Sequence, residues 1–337
     1  MPAKSIKLKK ILIIQTAFIG DVILATTLVE NLHIAFPEAI IDFLLIKGNE
    51  SLFENHPIIR KLLVLDKRQN KFKNIFKILI TVKDENYDIV FNVQRFATSG
   101  FITAFSKGKL KIGFNKNPFS FLFTKRIKHE IGKNDQLHEV DRNNLLLNEI
   151  VDQPLRIVKL YPSENDFAKV IDFKSIPYIC IAPASVWFTK QFPIEKWIEF
   201  LNNLNIDIQV YLLGAKNDFE LCEKIINESE FGSIINLAGC LSLLETSALM
   251  KDSEMNFVND SAPQHLASSL NAPVRSIFCS TVPEFGFGPL SDNSEIIQTD
   301  KKLICKPCGL HGFKTCPEKH FECAISIDID KLLQSIN

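Results

Sequence analysis

Between Met255 and Phe278 the chain reads MNFVNDSAPQHLASSLNAPVRSIF, a strand, a polar turn, a helix and a second strand with little left over. Phe257 and Val258 end an apolar run, Asn259, Asp260 and Ser261 are turn and N-cap residues, and Pro263 falls in the first helical turn. Asn271-Ala272-Pro273 then stops the helix, and Val274 to Phe278 reads as the next buried strand. Two strands joined through one helix run parallel, so this βαβ unit commits the chain to a parallel sheet with helices on its faces. A helix beginning at Ser261 or Ala262 aims unpaired N–H groups and a positive dipole end past the carboxyl end of the strand, which suits a diphosphate. His265 would lie one turn further, on the same rim. A plain helix cap and an ordinary surface histidine account for the same letters, and the choice rests on the rest of the chain.

The alternation recurs from end to end. Lys9 to Ile14 reads as a strand, and after the loop Gln15–Asp21 a helix to about Phe36 presents Val22, Ala25, Leu28, Val29, Leu32 and Phe36 on one face. Ile40 to Ile46, a stretch near Leu62 to Leu65, Asp88 to Val93 and a stretch around Lys111 to Phe114 read as further strands, with helices over about 72–84 and after Arg95. The first unit has no GxGxxG, which argues against a dinucleotide site and an oxidoreductase. Asp21 stands at the start of the first helix, as a cap or as a functional carboxylate. A helix over 137–150 and polar sequence lead into a second set: strands at 178–183, 208–213 and 233–236 and helices at 193–204, 217–227, 242–250 and 329–336. The expected fold is α/β, two Rossmann-like doubly wound parallel sheets, with domains at 1–160 and 161–337 and a last helix free to pack back on the first domain.

With 46% hydrophobic and 23% charged residues, and 39 basic side chains balancing 39 acidic ones, no global charge selects nucleic acid. The apolar run after the N-terminal lysines is short for a signal peptide, and no segment has the length of a membrane span, so a cytoplasmic protein is expected. In that compartment the eight cysteines are not expected to form structural disulfides. Local charge is more informative. From Ile89 to His129 there is no Asp or Glu, and lysines and arginines alternate with phenylalanines. Such a stretch is part core and part solvated face, and as a whole points to an anionic, partly apolar partner such as the interface of an acidic membrane.

Four pieces in order, I-G-D-V-I-L-A-T-T-L-V-E-N-L at Ile19–Leu32, A-P-A-S-V-W-F-T-K-Q-F-P at Ala182–Pro193, N-L-A-G at Asn236–Gly239 and N-D-S-A-P-Q-H-L-A at Asn259–Ala267, resemble glycosyltransferase family 9, the bacterial ADP-heptose:lipopolysaccharide heptosyltransferases, and within it the heptosyltransferase II subgroup. The chain departs from the family at Ala182, Ala184 and Ala262, where glycine is usual. The resemblance implies a GT-B arrangement, two Rossmann-like domains facing across a cleft, with inversion at the anomeric carbon. It implies a donor, ADP-heptose or a related nucleotide sugar, on the C-terminal domain, and a lipid-linked anionic saccharide acceptor on the N-terminal one. Asp21 resembles the family's catalytic base; Lys190 and the helix start at Ser261 and Ala262 resemble its diphosphate clamp, with Asp260 and His265 beside it and Ser185 and Thr189 as donors to phosphate oxygens.

Arg95, Lys107, Lys109 and Lys111 are the acceptor-binding candidates, on a surface in peripheral contact with the inner face of the cytoplasmic membrane. No cofactor and no metal are required, and Asp328-Ile329-Asp330 reads as capping charge on the last helix. Helix dipole and lysine are expected to hold the Asp21 pKa low. Cys305, Cys308, Cys316 and Cys323, with His311 and His320 among them, form either a structural zinc site or a loop of thiols; Cys180, Cys222, Cys240 and Cys279 read as buried. Two other functions stay open: transfer from a different nucleotide sugar, and a catalytically silent nucleotide-sugar or lipid binding module, which has no use for a carboxylate at Asp21.

Overall fold

The computed structural model describes residues 8–132 and 136–336. The chain divides into two units, Met1–Ile131 with Glu139–Tyr161, and Gly132–His138 with Pro162–Asn337. In the first, β1 (Lys10–Ile14), α1 (Ile19–Leu24), α2 (Thr26–Ala35), β2 (Ile40–Ile46), β3 (Ile59–Leu65), α3 (Lys71–Glu85), β4 (Ile89–Asn92), α4 (Ala97–Phe105), β5 (Leu110–Phe114), β6 (Lys125–Ile127) and α5 (Glu139–Asn144) follow one another. The sheet order is β3-β2-β1-β4-β5-β6, every pair parallel, with Ile11 of β1 opposite Ile41 on one side and Ile89 on the other.

The second unit repeats the pattern with α6 (Glu164–Lys169), β7 (Tyr178–Ala182), α7 (Ile194–Asn202), β8 (Gln209–Leu212), α8 (Phe219–Glu228), β9 (Ile234–Asn236), α9 (Leu243–Lys251), β10 (Met255–Asn259), α10 (Ala262–Ser269), β11 (Val274–Ile277), β12 (Ser294–Ile297), α11 (Glu322–Ile325) and α12 (Asp330–Leu333). Its order is β12-β11-β10-β7-β8-β9, again all parallel. Counted from its own first strand, each sheet therefore runs 3-2-1-4-5-6, the Rossmann order, and its ligand crevice is expected where the first and fourth strands part at their carboxyl ends.

Helices on both faces explain why the central strands read as apolar runs: every residue of β7 and β10 is buried. Behind them Trp197, Phe200 and Phe257 pack in one cluster, and Leu12, Ile14 and Leu44 belong to the corresponding core of the first unit. Among the described residues no helix is long and apolar enough to cross a membrane.

Three expectations change. The first helix is two, broken at Ala25. Thr26 Oγ1 donates to the Ile23 carbonyl (2.6 Å) and accepts the Lys159 N–H (3.0 Å), while Thr27 and Asn31 bind Leu155. Side-chain hydroxyls there serve a neighbouring segment instead of leaving the helix ladder undisturbed. The helix over 137–150 shortens to α5 and a series of turns. The last helix, expected over 329–336, shortens to α12, and Leu332, Leu333 and Ile336 lie with Ile327 and Ile329 in the core of the second unit.

Candidate functional site

In the second unit the chemistry gathers at the carboxyl ends of β7 and β10, the neighbouring first and fourth strands. Asn259, the last residue of β10, is fully buried and donates Nδ2 to the Pro183 carbonyl (2.8 Å), while its Oδ1 accepts the Phe192 N–H (2.9 Å). One amide thus fixes both ends of the loop after β7. Lys190 stands in that loop with its Nζ 2.7 Å from Asp260 Oδ2, both side chains largely buried. Asp260 also receives the hydroxyl of Thr281 (2.5 Å) and Nε2 of Gln264 (3.1 Å). A carboxylate so engaged holds the lysine in place. Ser261, extended before α10, donates its hydroxyl to the Asn259 carbonyl (3.3 Å) and makes no side-chain cap. Pro263 has no N–H and the Gln264 N–H donates to the Ser261 carbonyl (3.2 Å), so the Ala262 N–H and the dipole of the helix start are what α10 offers an anion, with the ammonium of Lys190 nearby. Ala262 is the first residue of α10, and Ser185 lies on the rim, partly exposed, its carbonyl accepting Gln191 Nε2 (2.6 Å).

Two expected contacts take different roles. Thr189 is buried and does not offer its hydroxyl to a phosphate: Oγ1 accepts the Phe313 N–H (2.7 Å) and the Ser280 hydroxyl (3.0 Å). It ties the lysine loop to the cysteine-rich segment, where Gly312 adopts φ +75° so close that a Cβ there would lie 2.8 Å from Thr189 Oγ1 and 3.1 Å from Lys190 Cγ. His265 is buried rather than on a surface, and its Nδ1 has no hydrogen-bond partner among the described residues. Burial, with the positive charges of His138 and Lys190, pushes its pKa down to about 3, so it is a neutral imidazole at pH 7.

In the first unit Asp21 is the third residue of α1, beyond the carboxyl end of β1. Its carboxylate lies beside the Phe18 and Asp21 N–H groups, which favour its charged form, but α1 shows no side-chain cap hydrogen bond. The low pKa expected from the helix dipole is absent: burial, reinforced by the negative charge of Glu139, lifts it to about 6 against the opposing pull of the Phe18 N–H and Arg95. Glu139 is the first residue of α5, which packs on α1. It is buried, with Arg142 Nε at 2.7 Å and His129 Nε2 at 3.6 Å, and those two partners hold its pKa below the usual value despite the desolvation. Arg95 follows β4 on the same edge of the sheet as Asp21. Beside it Thr16, after β1, donates to Gln94 Oε1 (2.6 Å) and accepts from Lys67 Nζ (3.1 Å).

The structure does not bring Lys107, Lys109 and Lys111 to this edge. Lys109 pairs with Asp88 (2.7 Å), whose other oxygen takes the Lys9 and Lys10 N–H groups, at the amino ends of β1 and β4. Lys107 precedes β5 at that same end, and Lys111 donates to the Ala104 carbonyl (2.7 Å). Lys67, Thr16, Gln94, Glu139 and Asn259 are the site residues missed. Their signal was position directly after a strand, or at the start of α5, which becomes readable only with the strand order.

The cysteine segment holds thiols. Cys305 Sγ lies 3.8 Å from His320 Nε2 and Cys308 Sγ 3.4 Å from the Cys305 carbonyl. Among the described residues no three His, Cys, Asp or Glu side chains converge as metal ligands. Cys180, Cys222 and Cys279 are buried as expected; Cys240 is exposed in a turn. Asp328 Oδ1 accepts the Asp330 N–H (3.0 Å), the capping role read for that pair.

A model of glycosyltransferase family 9 (heptosyltransferase) matches residues 75–319. Lipopolysaccharide heptosyltransferase 1 of Campylobacter coli is 24% identical over 318 residues, 87% of this chain and 90% of the relative. The glycosyl transferase family 9 structure from Veillonella parvula DSM 2008 superposes with a TM-score of 0.82 at 19% identity, covering 99% of this chain and 97% of that one. Escherichia coli ADP-heptose lipopolysaccharide heptosyltransferase II superposes with a TM-score of 0.77 at 21% identity, covering 97% of each chain.

Proposed function

Because the chain belongs to glycosyltransferase family 9, the heptosyltransferases, we propose that it moves a heptose from ADP-heptose to the inner core of a lipid-linked lipopolysaccharide precursor, with inversion at the anomeric carbon. The observation that carries this is Lys190, held at 2.7 Å by Asp260 beside the uncapped start of α10. Breaking the bond between the anomeric carbon and a nucleoside diphosphate leaves negative charge on the departing phosphate, and a fixed ammonium beside the positive end of a helix stabilises that charge as it grows. Because Asp260 is bound by Thr281 and Gln264 as well, the lysine is in position before the donor arrives.

Asp21 is the base in this reading. The acceptor hydroxyl gives up its proton to the carboxylate as its oxygen bonds to the anomeric carbon, and the bond to the diphosphate breaks on the opposite face. A base works best with a pKa near the operating pH, and a value of about 6 leaves Asp21 ionised at neutrality while making it a better proton acceptor than an ordinary aspartate. Arg95 and Lys67, on the same strand-end edge, are the cations to which an anionic acceptor would bind. Eight unpaired thiols fit a reducing compartment, the cytoplasmic side of the inner membrane.

The test offers the purified protein a panel of nucleotide sugars with binding followed by calorimetry. ADP-heptose should bind most tightly, with ADP retaining much of the affinity. Preference for a different base or sugar would keep the family and overturn the donor.

A further inference from the structure

α3 is apolar on two sides. Ile75, Ile78, Leu79 and Val82 face the core, while Phe72, Phe76 and Ile80, at i, i+4 and i+8, are 74%, 55% and 59% exposed on the outer side. An amphipathic helix of a water-soluble domain carries one apolar stripe, and the second stripe here is unaccounted for by the fold. It is continuous with more aromatic surface: the Phe76 ring meets Phe101 of α4 edge-on (5.9 Å), and Phe101 meets Phe105 (4.8 Å) and Phe119 (5.9 Å). Past Phe119 the turn 120–122 leaves Phe121 69% and Leu122 42% exposed.

The charge around this patch is predominantly positive, with Asp84 and Glu85 coming only in the last turn of α3. Lys71, Lys73, Lys77 and Lys83 lie along α3, with no acidic residue from Lys67 to Lys83, and the stretch carrying α4 and the 120–122 turn holds no Asp or Glu. A second copy of the chain docked here would set lysine against lysine. Lysine is also depleted in the cores of protein–protein interfaces. An anionic bilayer surface satisfies both parts: phenylalanines enter the boundary between headgroups and acyl chains, and lysines lay their stems over the apolar surface with their ammonium groups among the phosphates. The patch is also oriented. The amino end of α3 follows β3 and the 120–122 turn follows β5, so Phe72 and Phe121 lie toward the strand-end edge of the sheet that carries Asp21 and Arg95.

We propose that the outer face of α3, continued by Phe105 and the 120–122 turn, is a bilayer-docking surface that seats the first unit on anionic lipid with the Asp21 edge toward the membrane. This rests on the reading of the acceptor as lipid-linked and adds to it the residues that meet the lipid. The phenylalanines and lysines involved are exposed, so replacing them leaves the fold and the donor site intact.

The full chain is tested by co-sedimentation with phosphatidylcholine vesicles and with vesicles containing about a third phosphatidylglycerol, alongside ADP binding in solution. Wild type should partition onto the anionic vesicles, less at high salt. Phe72→Ser/Phe76→Ser and Lys73→Glu/Lys77→Glu should each lower that partition by at least about tenfold, whereas Ile304→Ser, at an exposed position of the second unit, should leave it unchanged. All variants should bind ADP as wild type does. ADP binding without vesicle binding, or vesicle binding indifferent to the α3 variants, overturns this inference alone; failure to bind ADP strikes the donor reading instead. A concentration-dependent dimer that the α3 variants dissociate would assign the face to a second copy and overturn the proposal as well.

Discussion

Asp21→Asn separates the charge of that side chain from its shape, because asparagine fills the same place beside the Phe18 N–H but never ionises. A folded-state pKa of about 6 against an ordinary value of 3.8 means that folding resists the charge. The sign follows from linkage: below about pH 4 Asp21 is protonated in both states and costs nothing, and as pH rises the unfolded chain ionises first, so wild-type stability is lost across the window from about 4 to 6. Two pKa units at 1.36 kcal/mol each amount to about 3 kcal/mol. The asparagine variant should therefore gain up to about 3 kcal/mol over wild type between pH 4 and pH 7.5, measured by urea denaturation at several pH values. Over the same range transfer should fall at least about a hundredfold while ADP affinity stays constant. A stability difference that is flat with pH, or that moves toward wild type as pH rises, would refute the argument from burial. Full turnover in the variant would remove Asp21 as the base.

Lys190→Ala should lower kcat/KM by about 2–4 kcal/mol and weaken ADP binding; steady-state rates within about twofold of wild type would exclude it from the diphosphate site. Glu139→Gln should shift the acid limb of the kcat/KM profile to lower pH, because the charge opposing ionisation of Asp21 is gone, and should cost about 3–5 kcal/mol of stability by stranding Arg142; an unmoved limb would mean that Glu139 acts on structure alone. Gly312→Ala forces a side chain into a left-handed position against Thr189 and Lys190, so a loss of about 1–3 kcal/mol in denaturation should accompany weaker ADP binding; wild-type ADP affinity would show that the brace is not needed. Chelation by EDTA should leave transfer unchanged, and a loss restored by Mg²⁺ would contradict a clamp made of lysine and helix start.

The βαβ reading of Met255 to Phe278 survives almost residue for residue because its signals are local: an apolar run, turn residues, a proline in the first helical turn and a proline beyond the last. Local signals also located Asp21, Lys190 and Ser261. What sequence alone could not supply was direction. Lys109 and Arg95 belong to one basic stretch, yet they stand at opposite ends of the sheet, since α4 between them carries the chain back from the carboxyl end of β4 to the amino end of β5. Burial was equally hidden. Thr189 looked like a free hydroxyl because nothing near it in sequence announces that Phe313 will take it, and Asp21 looked like an ordinary cap because Glu139 arrives from 118 residues further along. Short strands such as β6 and β12 escaped notice because three or four residues at the edge of a sheet carry too little apolar pattern to register.

The duplicated strand order has an implication for how such a protein tolerates change. Two frames with the same wiring carry opposite charges at equivalent places, a carboxylate after the first strand of one and an ammonium after the first strand of the other. The frames themselves are indifferent to that difference. Substitutions within the strands of either sheet should then trade chiefly in thermal tolerance, and substitutions in the segments leaving β1, β4, β7 and β10 chiefly in turnover and selectivity. Those four short exits are where sugar and acceptor preference can drift between lineages, or be grafted by design, without renegotiating the interior.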